Sequence, residues 1–492
     1  MISVLLVLSS IAVLAEDPAK DYDYPLTVTG LAQGEVAHFY KVIEWVGETE
    51  DDSDVSGWKA VSPFDSILNK TALTAVLVGN PKAEPAVAAT GITEDLAGQL
   101  ARAASGTPED VTADAAGKAT FNNPSAGMWM ALITPGDANT LYNPVFVSAD
   151  FDKTEGHEGT IAVTDTYGPN AAAKKSTLTL TKEAHNASDY TPDDAKTTAI
   201  GDTVSFTVNT AIPGYGEVYQ NPYFELTDTL ENLALDTTSV TLVKPSGLTK
   251  KAEGVTKYDY EVTATANGYT ILFTADYLKT VKSATEVQVT YNAEVTGEAV
   301  YAINEEDNDV YIKYSHDPHN NSDYDVKKDT TQHYTFSLDA AGLGNSETWK
   351  GVKTSELVKV GIDAAGNPIK TEKQTSAITS KEEWEGPLEH AVFELYKKDD
   401  LNINDQGKVT GIKEGKSAFL TAETTADGRM NFAGLDAGTY YLKEKSAPAG
   451  FVTNSDWHKI EIEAQTETIT VTEYFKDGTW SSTNSEGAKA AT

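Results

Sequence analysis

Over most of its length the chain alternates apolar and polar residues in short stretches. Leu178 and Leu180 take every second place ahead of Lys182, and Val204, Phe206 and Val208 repeat the period. The same rhythm returns at Tyr223 to Leu230, Tyr260 to Ala264, Thr270 to Phe273, Val287 to Tyr291 and Val310 to Tyr314. Period two puts successive side chains on opposite faces of an extended strand, so each stretch predicts a strand with one buried face. Gly, Asn, Asp and Pro separate the stretches at intervals too short for helical crossovers, which predicts sandwiches and not βαβ units.

The first third of the chain opens with strand patterns at Leu26 to Thr29 and Val36 to Trp45, and returns to them at Met128 to Ile133, Pro144 to Ser148 and Thr160 to Thr164. Between Ser62 and Ala113 the spacing changes to that of Leu73, Val76, Leu96 and Leu100, which suits short helices inserted into a β domain. The last third has strand patterns at Tyr334 to Leu338, Glu356 to Val360, Ala391 to Tyr396, Gly438 to Glu444, Ile460 to Ile462, Ile469 to Val471 and Gly478 to Asn484. Two polar stretches, Tyr167 to Lys175 and His316 to Lys328, read as connections. The expected organisation is a secretory signal at residues 1–15, domains at 16–172, 173–330 and 331–484, and a tail at 485–492. The signal reading rests on an apolar run ending in Leu14-Ala15, although no basic residue precedes it. The fold class is all-β: immunoglobulin-like sandwiches in tandem, with a small helical insertion in the first.

A length of 492 residues exceeds what one core ordinarily serves, in keeping with three domains. Lys and Arg total 38 against 74 Asp and Glu, and a formal charge of -36 would be repelled by a nucleic-acid backbone. There is no cysteine, so disulfides, thiolate metal sites and cysteine nucleophiles are excluded. An exported chain of this size must then be stabilised by some other route. No zinc or dinucleotide motif appears; Gly415-Lys-Ser has Thr410 where a phosphate loop needs glycine; and His316, His319 and His333 lie among polar residues that suit a solvated connection. No metal and no cofactor is expected, and the acids at 305–307 lack the spacing of a calcium loop.

The segment Gly438-Thr-Tyr-Tyr-Leu-Lys-Glu-Lys-Ser-Ala-Pro-Ala-Gly-Phe resembles the E-box of CnaB-type domains in the backbone subunits of sortase-assembled Gram-positive pili. In those domains a glutamate, here Glu444, assists formation of an intramolecular isopeptide bond between a lysine and an asparagine. Alternation puts Tyr440, Leu442 and Glu444 on one face, so the carboxyl points inward among apolar groups, where keeping it charged costs several kcal/mol. The resemblance implies Lys359 as the lysine and Asn484 as the asparagine, with Asn454 as the alternative. The second domain resembles the CnaA-like middle domain of such subunits, implying Lys182, the assisting acid Asp228 and Asn308. No matching lysine stands in Leu26-Thr-Val-Thr, so no internal bond is expected in the first domain. Leu141-Tyr-Asn-Pro-Val-Phe-Val-Ser-Ala-Asp and the Lys-Lys-Ser that follows resemble the end of the first pilin domain, which implies Lys174 or Lys175 as the acceptor of a C-terminal threonine, here Thr492, from another subunit.

The function so implied is that of a shaft subunit of a covalent cell-surface pilus, exported to the cell wall and supporting adhesion. Its single-turnover self-crosslinking is not enzyme activity. The implied partners are copies of itself, a sortase, tip and base pilins and a host surface ligand. The chain carries no Leu-Pro-x-Thr-Gly sorting motif. The competing expectation is a monomeric wall-anchored adhesin that binds a host protein or glycan, using exposed aromatic residues or the helical insertion.

Overall fold

The computed structural model describes residues 25–46, 57–80, 82–136, 140–149, 167–186, 197–296, 303–317, 324–339, 348–349, 352–353, 359–367, 369–376, 380–426, 428–463 and 471–491. Residues 1–15, Thr492, His319 and the strand expected at Thr160 to Thr164 lie outside this set.

The first domain is built on a sheet in which Trp58–Ala60, Val36–Trp45, Gly127–Thr134 and Val145–Ala149 lie side by side, with Glu109–Thr112 also on Val36–Trp45. The Gly127–Thr134 strand is buried on both faces because each has its own cover. Met128 and Met130 face the helices Lys70–Leu77 and Glu94–Ala103, whose Leu73, Leu77 and Leu100 are buried. Trp129 and Ala131 face the small sheet of Lys118–Phe121, Leu26–Thr29 and Asn170–Ala172. Each helix is closed at its N-terminus by a side chain, Asn69 or Thr93, that accepts from a backbone N–H otherwise left unpaired.

The Tyr167 to Lys175 stretch is not a free connection. Asn170–Ala172 adds in parallel to Leu26–Thr29, and Lys175–Thr177 pairs with Thr140–Tyr142. Arg102, on the second helix, donates to the Val218 carbonyl of the next domain at 2.8 Å. Backbone pairing and this contact tie the first two domains together.

The second domain is a sandwich. One sheet runs Leu180–Asn186, Thr203–Ile212, Thr285–Val295 and Leu233–Leu235; the other runs Tyr260–Thr265, Gly268–Phe273, Phe224–Leu230, Ile303–Ser315 and Tyr324–Asp339. Burial keeps the period read from sequence: Val204, Phe206, Val208 and Ile212 point inward, as do Val287, Val289, Tyr291, Ala293 and Val295.

The connection expected at His316 to Lys328 runs into a strand. Tyr324–Asp339 pairs with Ile303–Ser315 from Ser315↔Tyr324 to Ile303↔Phe336, then continues past it and pairs with Asn431–Leu435 of the third domain. Phe336 and Leu338 enter the third core beside Phe393, Leu395, Phe432, Tyr440 and Leu442. One strand thus serves two sandwiches, and the boundary expected at 330/331 falls inside it. The other layer of the third domain is the sheet Leu420–Glu423, Val392–Lys397, Gly438–Ser446 and Trp457–Ile462.

The chain beyond 471 turns back onto the second domain. Glu473–Lys476, Thr479–Ser481 and Lys489–Ala491 form a small sheet whose Phe475 and Trp480 rings pack on Tyr311, while Lys328 pairs with both Asp309 and Glu473. Lys489 pairs with Asp325, which holds the last strand against the same long strand. Within the tail expected at 485–492, Lys489–Ala491 is a strand of this sheet.

Candidate functional site

Lys182, Asp228 and Asn308 come from three strands separated widely in sequence, and each occupies an inward place in its own alternation. Lys182 follows the buried Leu178 and Leu180; Asp228 lies between the buried Leu226 and Leu230; Asn308 precedes the buried Val310 and Ile312. Sandwich closure brings the three places to one point in the core. The Lys182 and Asp228 side chains are both fully inaccessible to solvent, and Asn308 is fully buried as a residue.

The Lys182 Nζ donates to Asp228 Oδ1 at 2.8 Å and to Asn308 Oδ1 in a very short contact. Its backbone N–H donates to Asp329 Oδ2 at 2.7 Å, which fixes the strand at the point where the side chain enters the core. The Tyr291 hydroxyl donates to Asp228 Oδ2 at 2.9 Å and accepts from Asn308 Nδ2 at 2.7 Å. Phe206 stacks on Tyr291 with ring centroids 4.9 Å apart, and Lys182 Nζ lies 5.5 Å and 5.7 Å from the two centroids.

Burial in apolar surroundings disfavours the charged form of either partner. It pushes the Lys182 amine down to about 8, against the pull of the Asp228 charge, and raises the Asp228 carboxyl despite Lys182 beside it. Both shifts favour passing the lysine proton to the aspartate, which leaves a neutral amine touching a carboxamide. A neutral amine is a nucleophile and an ammonium is not. Held at contact, the pair also escapes most of the entropic cost of meeting.

Lys359 and Glu444 also meet, at 3.0 Å, and their surroundings are different. Glu444 is buried at the inward place predicted by the Tyr440, Leu442, Glu444 alternation, opposite Phe393. Lys359 keeps 18% of its side-chain surface in solvent. Its strand context, Glu356 to Val358, is outside the described residues. The second donor to Glu444 Oε2 is the backbone N–H of Asn454, at 2.7 Å. The Asn454 side chain is turned to its own loop: its Oδ1 accepts from Asp456 N at 2.9 Å, and its Nδ2 lies 3.4 Å from His458 Nε2.

Asn484 is not brought to Lys359. It is exposed in the turn after Thr479–Ser481, in the small sheet seated on the second domain, so the strand that would carry it into the third core has left that domain. Lys174 and Lys175 are exposed at the junction of the first two domains, and the Lys174 carbonyl accepts from Asn143 N at 3.1 Å.

Two residues of the middle site went unread in the sequence. Tyr291 sits in a Val-Val-Tyr-Ala alternation, which reads as core packing. His333, whose polar neighbours in sequence suit a solvated connection, is fully buried edge-on to Phe206 at 5.5 Å, with neither ring nitrogen hydrogen-bonded. Its alternation with Thr331 and Thr335 was visible, but Thr and His look like an exposed face when the partner sheet is unknown.

Residues 374–474 match the SpaA family, a prealbumin-like fold domain. Over 385 residues the chain is 23% identical to the trypsin-resistant surface T6 protein of Streptococcus pyogenes serotype M6, an alignment covering 74% of this chain and 61% of that protein. In three dimensions it is similar to the T6 backbone pilin of serotype M6 Streptococcus pyogenes, a modular three-domain structure, with a TM-score of 0.59 and 19% identity over 96% of this chain and 92% of that one. The full-length major pilin SpaD from Corynebacterium diphtheriae aligns over 90% of this chain and 92% of its own, at a TM-score of 0.49 and 17% identity. The likeness to the surface T6 protein is one of sequence and that to the T6 backbone pilin one of fold, and the chain spans about three fifths of the length of the curated relative that it matches.

Proposed function

We propose that this chain is a shaft subunit of a covalently assembled cell-surface pilus, and that its middle domain closes an isopeptide bond between Lys182 and Asn308 with Asp228 as the assisting acid. The observation that carries the reading is the contact of Lys182 with both Asp228 and Asn308 in a core that solvent does not reach. A lysine and a carboxylate of this kind are costly to bury as ions; once the amide has formed, no charge is left to compensate on the lysine. The bond would supply, without cysteine, the covalent tie between strands that disulfides give other exported proteins.

In the third domain the reading is narrower than the resemblance implied. Lys359 and Glu444 form an ion pair, the Asn454 carboxamide is engaged elsewhere, and Asn484 belongs to another sheet. One internal bond is therefore expected. Intact-mass measurement of the purified chain should show a deficit of about 17 Da, the mass of one ammonia, with peptides holding Lys182 and Asn308 joined. No deficit, or a bond located elsewhere, refutes the assignment; a deficit of about 34 Da would restore a third-domain bond.

Assembly is proposed to proceed through Lys174 or Lys175, which face solvent at a domain junction, and the C-terminal carbonyl of a second copy delivered by a sortase. SDS-resistant ladders extracted from the producing cell wall should yield peptides that join Lys174 or Lys175 to a threonine carbonyl, and the double change K174A/K175A should abolish the ladders. A ladder unaffected by that change would move the acceptor to another lysine.

A further inference from the structure

From the closed circuit of contacts in the middle domain we infer that Tyr291 is the proton relay to the departing ammonia, a role that rests on the isopeptide reading above. The hydrogen bonds run in a ring: Lys182 Nζ to Asp228 Oδ1, Tyr291 Oη to Asp228 Oδ2, Asn308 Nδ2 to Tyr291 Oη, and Lys182 Nζ to Asn308 Oδ1. The nitrogen that must leave is thus attached to the tyrosine oxygen, and the aspartate reaches that nitrogen only through the tyrosine in this set of bonds.

The balance closes without an outside reactant. Lys182 passes one proton to Asp228, and the neutral amine attacks Asn308 Cγ, forming the new C–N bond. In the tetrahedral intermediate Nδ2 becomes an amine whose lone pair accepts the Tyr291 proton, while Tyr291 takes the proton that Asp228 received from Lys182, brought round to the phenol by rotation of the carboxyl. The attacking nitrogen, now carrying a positive charge, gives its surplus proton to the Asp228 oxygen that then faces it. The Cγ–Nδ2 bond breaks and ammonia departs, leaving a neutral amide, an intact phenol and a protonated Asp228. Burial, which raises the Asp228 carboxyl and the Tyr291 phenol alike, keeps both in the protonated forms this end state requires.

The surroundings fit a fixed relay. The Tyr291 ring is held by stacking on Phe206 and by the edge of Tyr269 at 5.0 Å, so its hydroxyl has little freedom to leave the ring of bonds. The residue is 2% exposed, which leaves bulk water no ready path to replace it as the donor.

The test follows bond formation in the full chain, made by cell-free synthesis, quenched in acidic denaturant at intervals and read by intact mass. Tyr291→Phe keeps the ring and removes the hydroxyl; positioned acid–base groups typically contribute about 100-fold or more, so formation should slow by at least that factor. Replacing Tyr291 by 3,5-difluorotyrosine lowers the phenol pKa at nearly constant shape, and the rate should rise. A purely packing role would slow the phenylalanine variant through misfolding but leave the fluorinated chain at the native rate, and that result overturns the relay. Tyr291→Phe bonding as fast as the native chain overturns it too. A native chain without any mass deficit removes the isopeptide reading and the relay together.

Discussion

Among single residues, Asp228 holds the position with the most to lose. Asp228→Ala should abolish the mass deficit and leave the Lys182 amine without its acid in a closed core, destabilising the middle domain by about 3–5 kcal/mol, read by chemical denaturation. Glu444→Ala should leave the mass unchanged. Its cost, about 1–3 kcal/mol, comes from the unpaired Asn454 N–H and from Lys359, which can turn to water. His333 offers a test with pH. Burial, joined before the bond closes by the Lys182 charge, pushes its imidazole down to about 4, whereas an unfolded histidine titrates near 6.5. As pH falls from about 6.5 to about 4 the unfolded chain takes up the proton and the folded chain does not, so stability drops, by up to about 3 kcal/mol. Asp228 and Asp329, whose carboxyls burial raises, act with the opposite sign in acid, so the effect is read as the difference between native and His333→Phe chains at each pH. A difference that stays flat across that window removes the histidine from the acid sensitivity.

At the scale of the element, the inward places of the middle strands were legible because the alternation is strict: Lys182, Asp228 and Asn308 each interrupt an apolar series in phase with it. That phase is what distinguishes a buried polar residue from a surface one, and a residue such as His333, flanked at its own period by threonines, offers no such contrast. The Asn484 expectation failed for a different reason. Local pattern gave a strand near Gly478 to Asn484, and a strand is there at Thr479–Ser481, but no pattern within a strand says which sheet will receive it. The acid also depends on its neighbour strand. Gly268, at φ +150, faces Asp228 so closely that an added Cβ would lie 2.1 Å from the Asp228 carbonyl oxygen. Gly268→Ala should therefore force the two strands apart, costing about 1–3 kcal/mol by denaturation and slowing bond formation in the mass assay.

For the whole molecule, three sandwiches and a helical insertion were readable from the spacing of apolar runs, whereas the junctions were not. Polar, Pro-containing stretches look like linkers, yet both expected connections carry backbone pairing. With the crosslink in place, a pull on the chain would pass directly from Lys182 to Asn308, which lie 126 positions apart. At about 3.4 Å per residue that withholds roughly 430 Å of chain from extension, a length that should reappear in single-molecule traces of Lys182→Ala. The strand Tyr324–Asp339 has its own consequence during folding. Until Asn431–Leu435 arrives, its end from Phe336 to Asp339 is a bare edge with amide and carbonyl groups ready for any complementary strand. A neighbouring copy carries the same complement, so crowded refolding should yield exchanged pairs in which each third sandwich is completed by the other chain.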